Sequence, residues 1–109
     1  MPTSSSNQGA REVYGSIELQ GAVGNDQLNH NQVTVGTEST LIVSARANRR
    51  GVLIVQHGTN NVFLGNNGVT TGDGVLLAGT AGTSIFIPTT AAVYGIAGSS
   101  QAVSYLEVY

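Results

Sequence analysis

Cysteine is absent from the 109 residues, which removes disulfide frameworks, thiol nucleophiles and cysteine-ligated zinc and leaves the redox compartment undetermined. Lysine is absent as well. Four arginines face six carboxylates for a net charge of -2, so nonspecific attraction to nucleic acid or anionic lipid has little driving force. Neither nucleic acid nor membrane is an expected partner. Charged residues make up only 9% of the chain, against about 25% in an ordinary soluble domain. Aromatics reach 6% and tryptophan is missing; a single core is feasible at this length, but a chain so poor in large side chains gains by burying surface against copies of itself.

Further absences narrow the class. Met1 to Gly9 lacks a basic start and an apolar stretch, so no secretory signal is expected. Every residue from Val75 to Leu106 is uncharged, long enough to span a bilayer, yet Pro88, glycines and many Ser and Thr interrupt it. No window carries an apolar stripe at helical spacing with charge opposite, and almost no helix is expected.

What the chain has is β-branched residues and turns: Val, Ile and Thr supply 30 residues and glycine 15, a composition that favours short strands. Runs bounded by Gly, Asn, Ser or Thr predict strands over Val13–Leu19, Gln32–Val35, Thr40–Ala47, Val52–His57, Asn61–Leu64, Gly74–Ala78, Thr83–Ile87, Ala92–Ile96 and Ala102–Val108. Nine short strands do not make one comfortable flat sheet. An all-β fold of two facing sheets, a β-sandwich or jelly roll, buries both Gly51–Val55 and Ser84–Ile87. Residues 1–12 have almost nothing to bury and are expected to form a flexible arm ahead of one domain over 13–109. Gly24–Asn31 reads as an exposed loop.

Chemistry-bearing groups are few. Asp26 and His30 stand four apart among asparagines, but lack the carboxylate count of a calcium loop. His57 ends a strand with no carboxylate near it in sequence, and no serine occupies a nucleophile elbow. Glu18, Glu38, Asp73 and Glu107 are far apart, so nothing selects a pair for glycoside hydrolysis. Gly72–Asp73–Gly74 is a turn, since no helix follows to make it a phosphate site. Hence no catalytic residue, cofactor or metal is expected. The one positive cluster, Arg46, Arg49 and Arg50, sits in what reads as a hairpin; it suits an inter-subunit or partner contact, by bidentate pairing with an acidic neighbour.

From Arg46 to Val108 the chain resembles small β-sandwich modules in structural proteins of tailed bacteriophages, including head decoration proteins and tail or fibre components. The resemblance is carried by Asn48-Arg49-Arg50-Gly51-Val52-Leu53-Ile54-Val55, Gly58-Thr59-Asn60-Asn61-Val62-Phe63-Leu64-Gly65, Gly68-Val69-Thr70-Thr71 and Thr89-Thr90-Ala91-Ala92-Val93-Tyr94-Gly95-Ile96. It implies a non-catalytic decoration or cement protein on the capsid exterior, reached from the host cytoplasm, with the major capsid protein as partner. Composition adds two expectations. The chain forms a homotrimer, and the arm, through Thr3, Ser4, Ser5, Ser6, Asn7, Gln8, Arg11 and Glu12, contacts the capsid. The alternative is a receptor- or glycan-binding fibre module, for which Tyr14, Tyr94, Tyr105 and Tyr109 are the candidate platform; a small hydrolase is a third reading.

Overall fold

A computed structural model describes residues 27–109. The arm expected over 1–12, the strand expected over Val13–Leu19, and Asp26 lie outside the described residues. Within them there are eight strands and no helix: β1 Leu28–Val35, β2 Thr40–Val43, β3 Gly51–Gln56, β4 Val62–Gly65, β5 Val75–Leu77, β6 Ser84–Ile87, β7 Val93–Ala97 and β8 Gln101–Val108. One sheet has the order β1-β8-β3-β6 and the other β2-β7-β4-β5. Every ladder is antiparallel, and four of them pair β1 with β8, β2 with β7, β3 with β6 and β4 with β5. The chain is thus one long hairpin, folded back at the β4–β5 turn and rolled so that alternate pairs fall in opposite sheets. That topology is the jelly roll.

Alternation along the strands puts the core between the sheets. Val52 and Ile54 of β3, Val103 of β8 and Val35 of β1 meet Ile42, Val62, Leu64 and Val93 from the facing sheet, all of them buried. Gly95 of β7 leaves room for core side chains from the strands on either side of it in its own sheet: a Cβ there would stand 2.8 Å from Cδ1 of Ile42 on β2 and 3.3 Å from Cγ1 of Val62 on β4.

Six of the nine expected strands appear within one residue of their anticipated limits, and two readings are corrected. Leu28–Asn31 belongs to β1 rather than to a loop. It pairs residue for residue with Tyr105–Val108, because the backbone ladder of a long β8 needs a partner whatever the polarity of the side chains opposite. The segment carrying Arg46, Arg49 and Arg50 is not a hairpin but a crossover from β2 to β3, which lie in different sheets. Its strand stops at Val43 instead of Ala47, and Asn48 takes a left-handed conformation with φ 66°, which asparagine tolerates better than most residues.

The turn expected at Gly72–Gly74 is present, and another forms at Asn66–Val69. Val69 N donates to Asn66 O at 3.0 Å with Gly68 at φ 94°. Asp73 Oδ1 accepts from the N–H and hydroxyl of Thr70 at 2.8 and 2.9 Å, and the hydrogen bond from the Thr70 backbone, with that from its hydroxyl, holds the Asp73 carboxyl below its ordinary pKa.

Ile54 is fully buried at the centre of this core. Ile54→Ala is expected to lower unfolding free energy by about 3–4 kcal/mol, within the usual range for emptying such a site. The urea midpoint at unchanged m-value is the measurement, and a loss below about 1 kcal/mol would mean that the sheets collapse to fill the gap.

Candidate interaction surface

The two ends of the sandwich are closed by buried polar side chains. At the end where β1 begins and β8 finishes, Glu107 projects inward from β8 and Arg49 reaches it from the crossover, Nη1 to Oε1 3.0 Å, both side chains nearly without exposure. The rest of the Arg49 guanidinium is spent on backbone carbonyls: Ser44 O at 3.0 Å, Thr89 O at 2.8 Å and Ala91 O at 2.6 Å. Arg46 adds a second ion pair to Glu107 at 2.9 Å and lies over the Tyr109 ring, 3.8 Å from its centre. Asn29 Nδ2 donates to the other carboxylate oxygen at 2.7 Å. Burial alone pushes the Glu107 carboxyl pKa up, but hydrogen bonds from Arg46, Asn29 and Arg49, with the Arg46 charge, outweigh it and leave the pKa below the ordinary value.

The opposite end is closed by Gln56 and Gln101. Gln56 Nε2 donates to Asn60 O at 3.0 Å, and Gln101 Oε1 accepts from Asn60 N at 3.0 Å.

The expected arginine site therefore divides. Arg49 and Arg46 turn to Glu107 of their own chain, while Arg50 is exposed and its backbone N–H donates to Val108 O at 2.8 Å. The acidic partner was hidden from sequence reasoning by a separation of 58 residues between Arg49 and Glu107. The expected capsid-contact residues, Thr3 to Glu12, lie outside the described residues. Of the tyrosines, Tyr105 packs against the core and Tyr94 is half-buried. His57 is exposed and its Nε2 meets Ser104 Oγ on the outer face of the first sheet. Among the described residues no three His, Asp or Glu side chains gather as a metal site, and no helix is long and apolar enough to cross a membrane.

What the structure adds is the character of the outer faces. A sheet with one face on the core normally turns polar residues to solvent. Here the ladder registers place Leu28 beside Val108, and Leu106 beside Leu53 beside Phe86, on the outer side of β1-β8-β3-β6, with Val55 next along β3. Leu28 is 65% exposed and Phe86 51%. The Phe86 ring lies over Gly51, where any Cβ would run into it.

The second sheet repeats the pattern. Leu76, Phe63 and Ile96 align across β5, β4 and β7, with Leu41 opposite Tyr94 nearby. Leu76 is 54% exposed and Leu41 43%. A third apolar feature is a groove of about 420 Å³ where the sandwich gapes between its edge strands β5 and β6, lined by Leu64, Val75, Ile85, Ile87, Pro88 and Val93 among others.

The chain matches no protein-family model, no curated protein and no solved structure. The surfaces themselves carry the functional reading.

Glu107→Gln keeps the shape but leaves the buried Arg49 charge without its counter-ion, and is expected to cost about 3–5 kcal/mol at pH 7. A carboxylate with a depressed folded-state pKa stabilises fully above its unfolded value of about 4.3 and loses that contribution as pH falls through the folded one. The stability gap between parent and variant should therefore narrow below about pH 4, as read by urea midpoints from pH 7 to pH 3. A gap that stays constant over that range would show that Glu107 is not the titrating group.

Proposed function

We propose that this chain is a structural protein of a virion that binds the assembled capsid surface and stabilises it, as a decoration or cement protein and without catalysis. The observation that carries the reading is the apolar outer face on both sheets of a jelly roll whose own core is already filled. Exposed apolar surface of this kind marks contact with other proteins. Two opposed faces call for two kinds of neighbour, as in a lattice. Low charge fits the same role, since few charged groups must be desolvated when the faces are covered.

In this reading the β1-β8-β3-β6 face meets copies of the chain in a homotrimer, and the β2-β7-β4-β5 face, with Thr3–Glu12, meets the major capsid protein. The setting, the exterior of a capsid reached from the host cytoplasm, comes from the resemblance of Arg46–Val108 to bacteriophage virion modules. The mechanism is mass action: a protein that binds only the assembled shell stabilises it by RT ln(1 + [L]/Kd) at each site. Many modest contacts then harden the shell. A receptor- or glycan-binding fibre component is the alternative, and the copy number separates the two.

Mass spectrometry of virions carrying the protein, after heads and tails are parted, should find hundreds of copies with the heads. A few copies confined to tails would replace the cement role by adsorption, and absence from both would end the virion reading. Light scattering at micromolar concentration should give the mass of three chains. Leu106→Asp on the first face should reduce that mass to one chain, whereas Leu76→Asp on the second should leave the trimer intact and lower capsid occupancy at least tenfold. Deleting residues 3–12 should also lower occupancy; full occupancy would remove the arm from the contact.

A further inference from the structure

Both histidines of the chain lie on the same surface, the outer face of β1-β8-β3-β6. His30 stands directly opposite Leu106 and heads the row that runs through Leu53 to Phe86. Leu28 flanks it along β1, and Val108 and Ser104 lie diagonally from it on β8. His57 follows β3, where its backbone N–H donates to Ala102 O at 3.2 Å and its ring meets Ser104 Oγ. Both side chains are exposed.

Nothing else on this face titrates near neutral pH. Around the apolar residues, strand alternation adds only Gln32, Thr34, Ala102, Ser104 and Ser84, with Gly51 beneath the Phe86 ring. The charged groups of the elements that build the face lie elsewhere. Glu107 of β8 points inward to Arg49 and Arg46, Arg50 precedes β3, and Glu38 sits in the link from β1 to β2; β6 has none. Among the described residues, then, no carboxylate on this face offsets an imidazolium.

Histidine is the side chain whose charge ordinarily changes between about pH 5 and 8. On an open face water solvates either form. Once the face is covered, a neutral ring is tolerated beside leucine, whereas a charged ring loses its water and gains no counter-ion. A copy of the same face brings no carboxylate with it. It brings further histidines, and like charges add to the cost. Association therefore favours the neutral form, and by linkage acid favours release, about tenfold per pH unit for each histidine that titrates.

We infer that this face is a histidine-gated contact between copies of the chain, closed near neutral pH and opened when His30 and His57 are protonated. The gate rests on the trimer of the proposed function and adds its regulation. Opening does not require unfolding. Burial raises the Glu107 carboxyl, but hydrogen bonds from Arg46, Asn29 and Arg49 more than offset it and hold the pKa below its ordinary value. The ion pair that closes the sandwich therefore survives at a pH where histidine is charged.

The test is light scattering at micromolar concentration and constant ionic strength, at about pH 7.5 and about pH 5, with circular dichroism to follow the strands. The parent should give the mass of three chains at the higher pH and of one chain at the lower, with its strand signal unchanged. The double variant His30→Gln, His57→Gln should keep three chains at both. His30→Arg fixes a charge at the head of the leucine row and should give one chain even at about pH 7.5. Three chains for the parent at both pH values would overturn the gate and leave the trimer reading standing. One chain at both would overturn gate and trimer together. Release that persists in the double variant would assign the transition to other groups and overturn the gate, as would trimers of His30→Arg. A parent that loses its strand signal at about pH 5 would show acid unfolding in place of gating.

Discussion

One buried ion pair holds the jelly roll's two sheets in relation to each other at the end where the chain enters. Glu107 belongs to β8, in the middle of the first sheet, and Arg49 to the crossover that leaves the second. Through Ser44, Thr89 and Ala91 the same guanidinium binds the links from β2 to β3 and from β6 to β7. Two crossovers between sheets are thus tied to one carboxylate. A buried pair of this kind contributes little net stability over a well-packed apolar substitute, but removing one partner is costly. Its value lies in specificity: four directed hydrogen bonds from one planar guanidinium admit one arrangement of these loops, where aliphatic contacts would admit several.

That constraint explains how so small a hydrophobic core suffices. The largest wholly buried apolar side chain is Ile54, with valines making up most of the rest, so packing alone defines the spacing of the sheets loosely. Polar closure at both ends, by Arg49 and Glu107 at one and Gln56 and Gln101 at the other, fixes what the aliphatic side chains leave free. It also frees the larger apolar residues for other uses. Phe63, Phe86, Leu28, Leu76 and Leu106 all lie on outer faces rather than in the core.

Strand positions and the sheet-on-sheet class were legible because the chain alternates β-branched runs with Gly, Asn and Thr at short spacing, a local pattern with a local cause. The crossover at Arg46–Arg50 was not legible. Local propensity there favours a tight turn, and only the pairing of Arg49 with a residue 58 positions away reveals that the strands on either side lie in different sheets. The loop reading of Gly24–Asn31 failed over Leu28–Asn31 for a related reason, because a polar strand exists by virtue of its partner β8. The apolar outer faces could have been found in the sequence, in the continuous runs Val52–Val55 and Ser84–Ile87: a strand apolar on both faces, in an antiparallel sheet, must be covered twice.

The division of labour between core and surface bears on how such a protein would act. With large apolar groups outside and few charges, a single contact has modest affinity, because area alone does not convert to binding free energy once ordering costs are met. The trimer of the proposed function would change this. Once one copy is seated on a regular lattice, its neighbours are held close to their own sites, and the effective concentration raises overall avidity by about 10²–10⁴ without any new contact. Geometry sets the limit: the gain vanishes where the lattice spacing does not match the trimer. A weakly charged, apolar-faced jelly roll in such a trimer would therefore bind an assembled, correctly spaced surface and ignore its isolated subunits, and that selectivity is what stabilising only the assembled state requires.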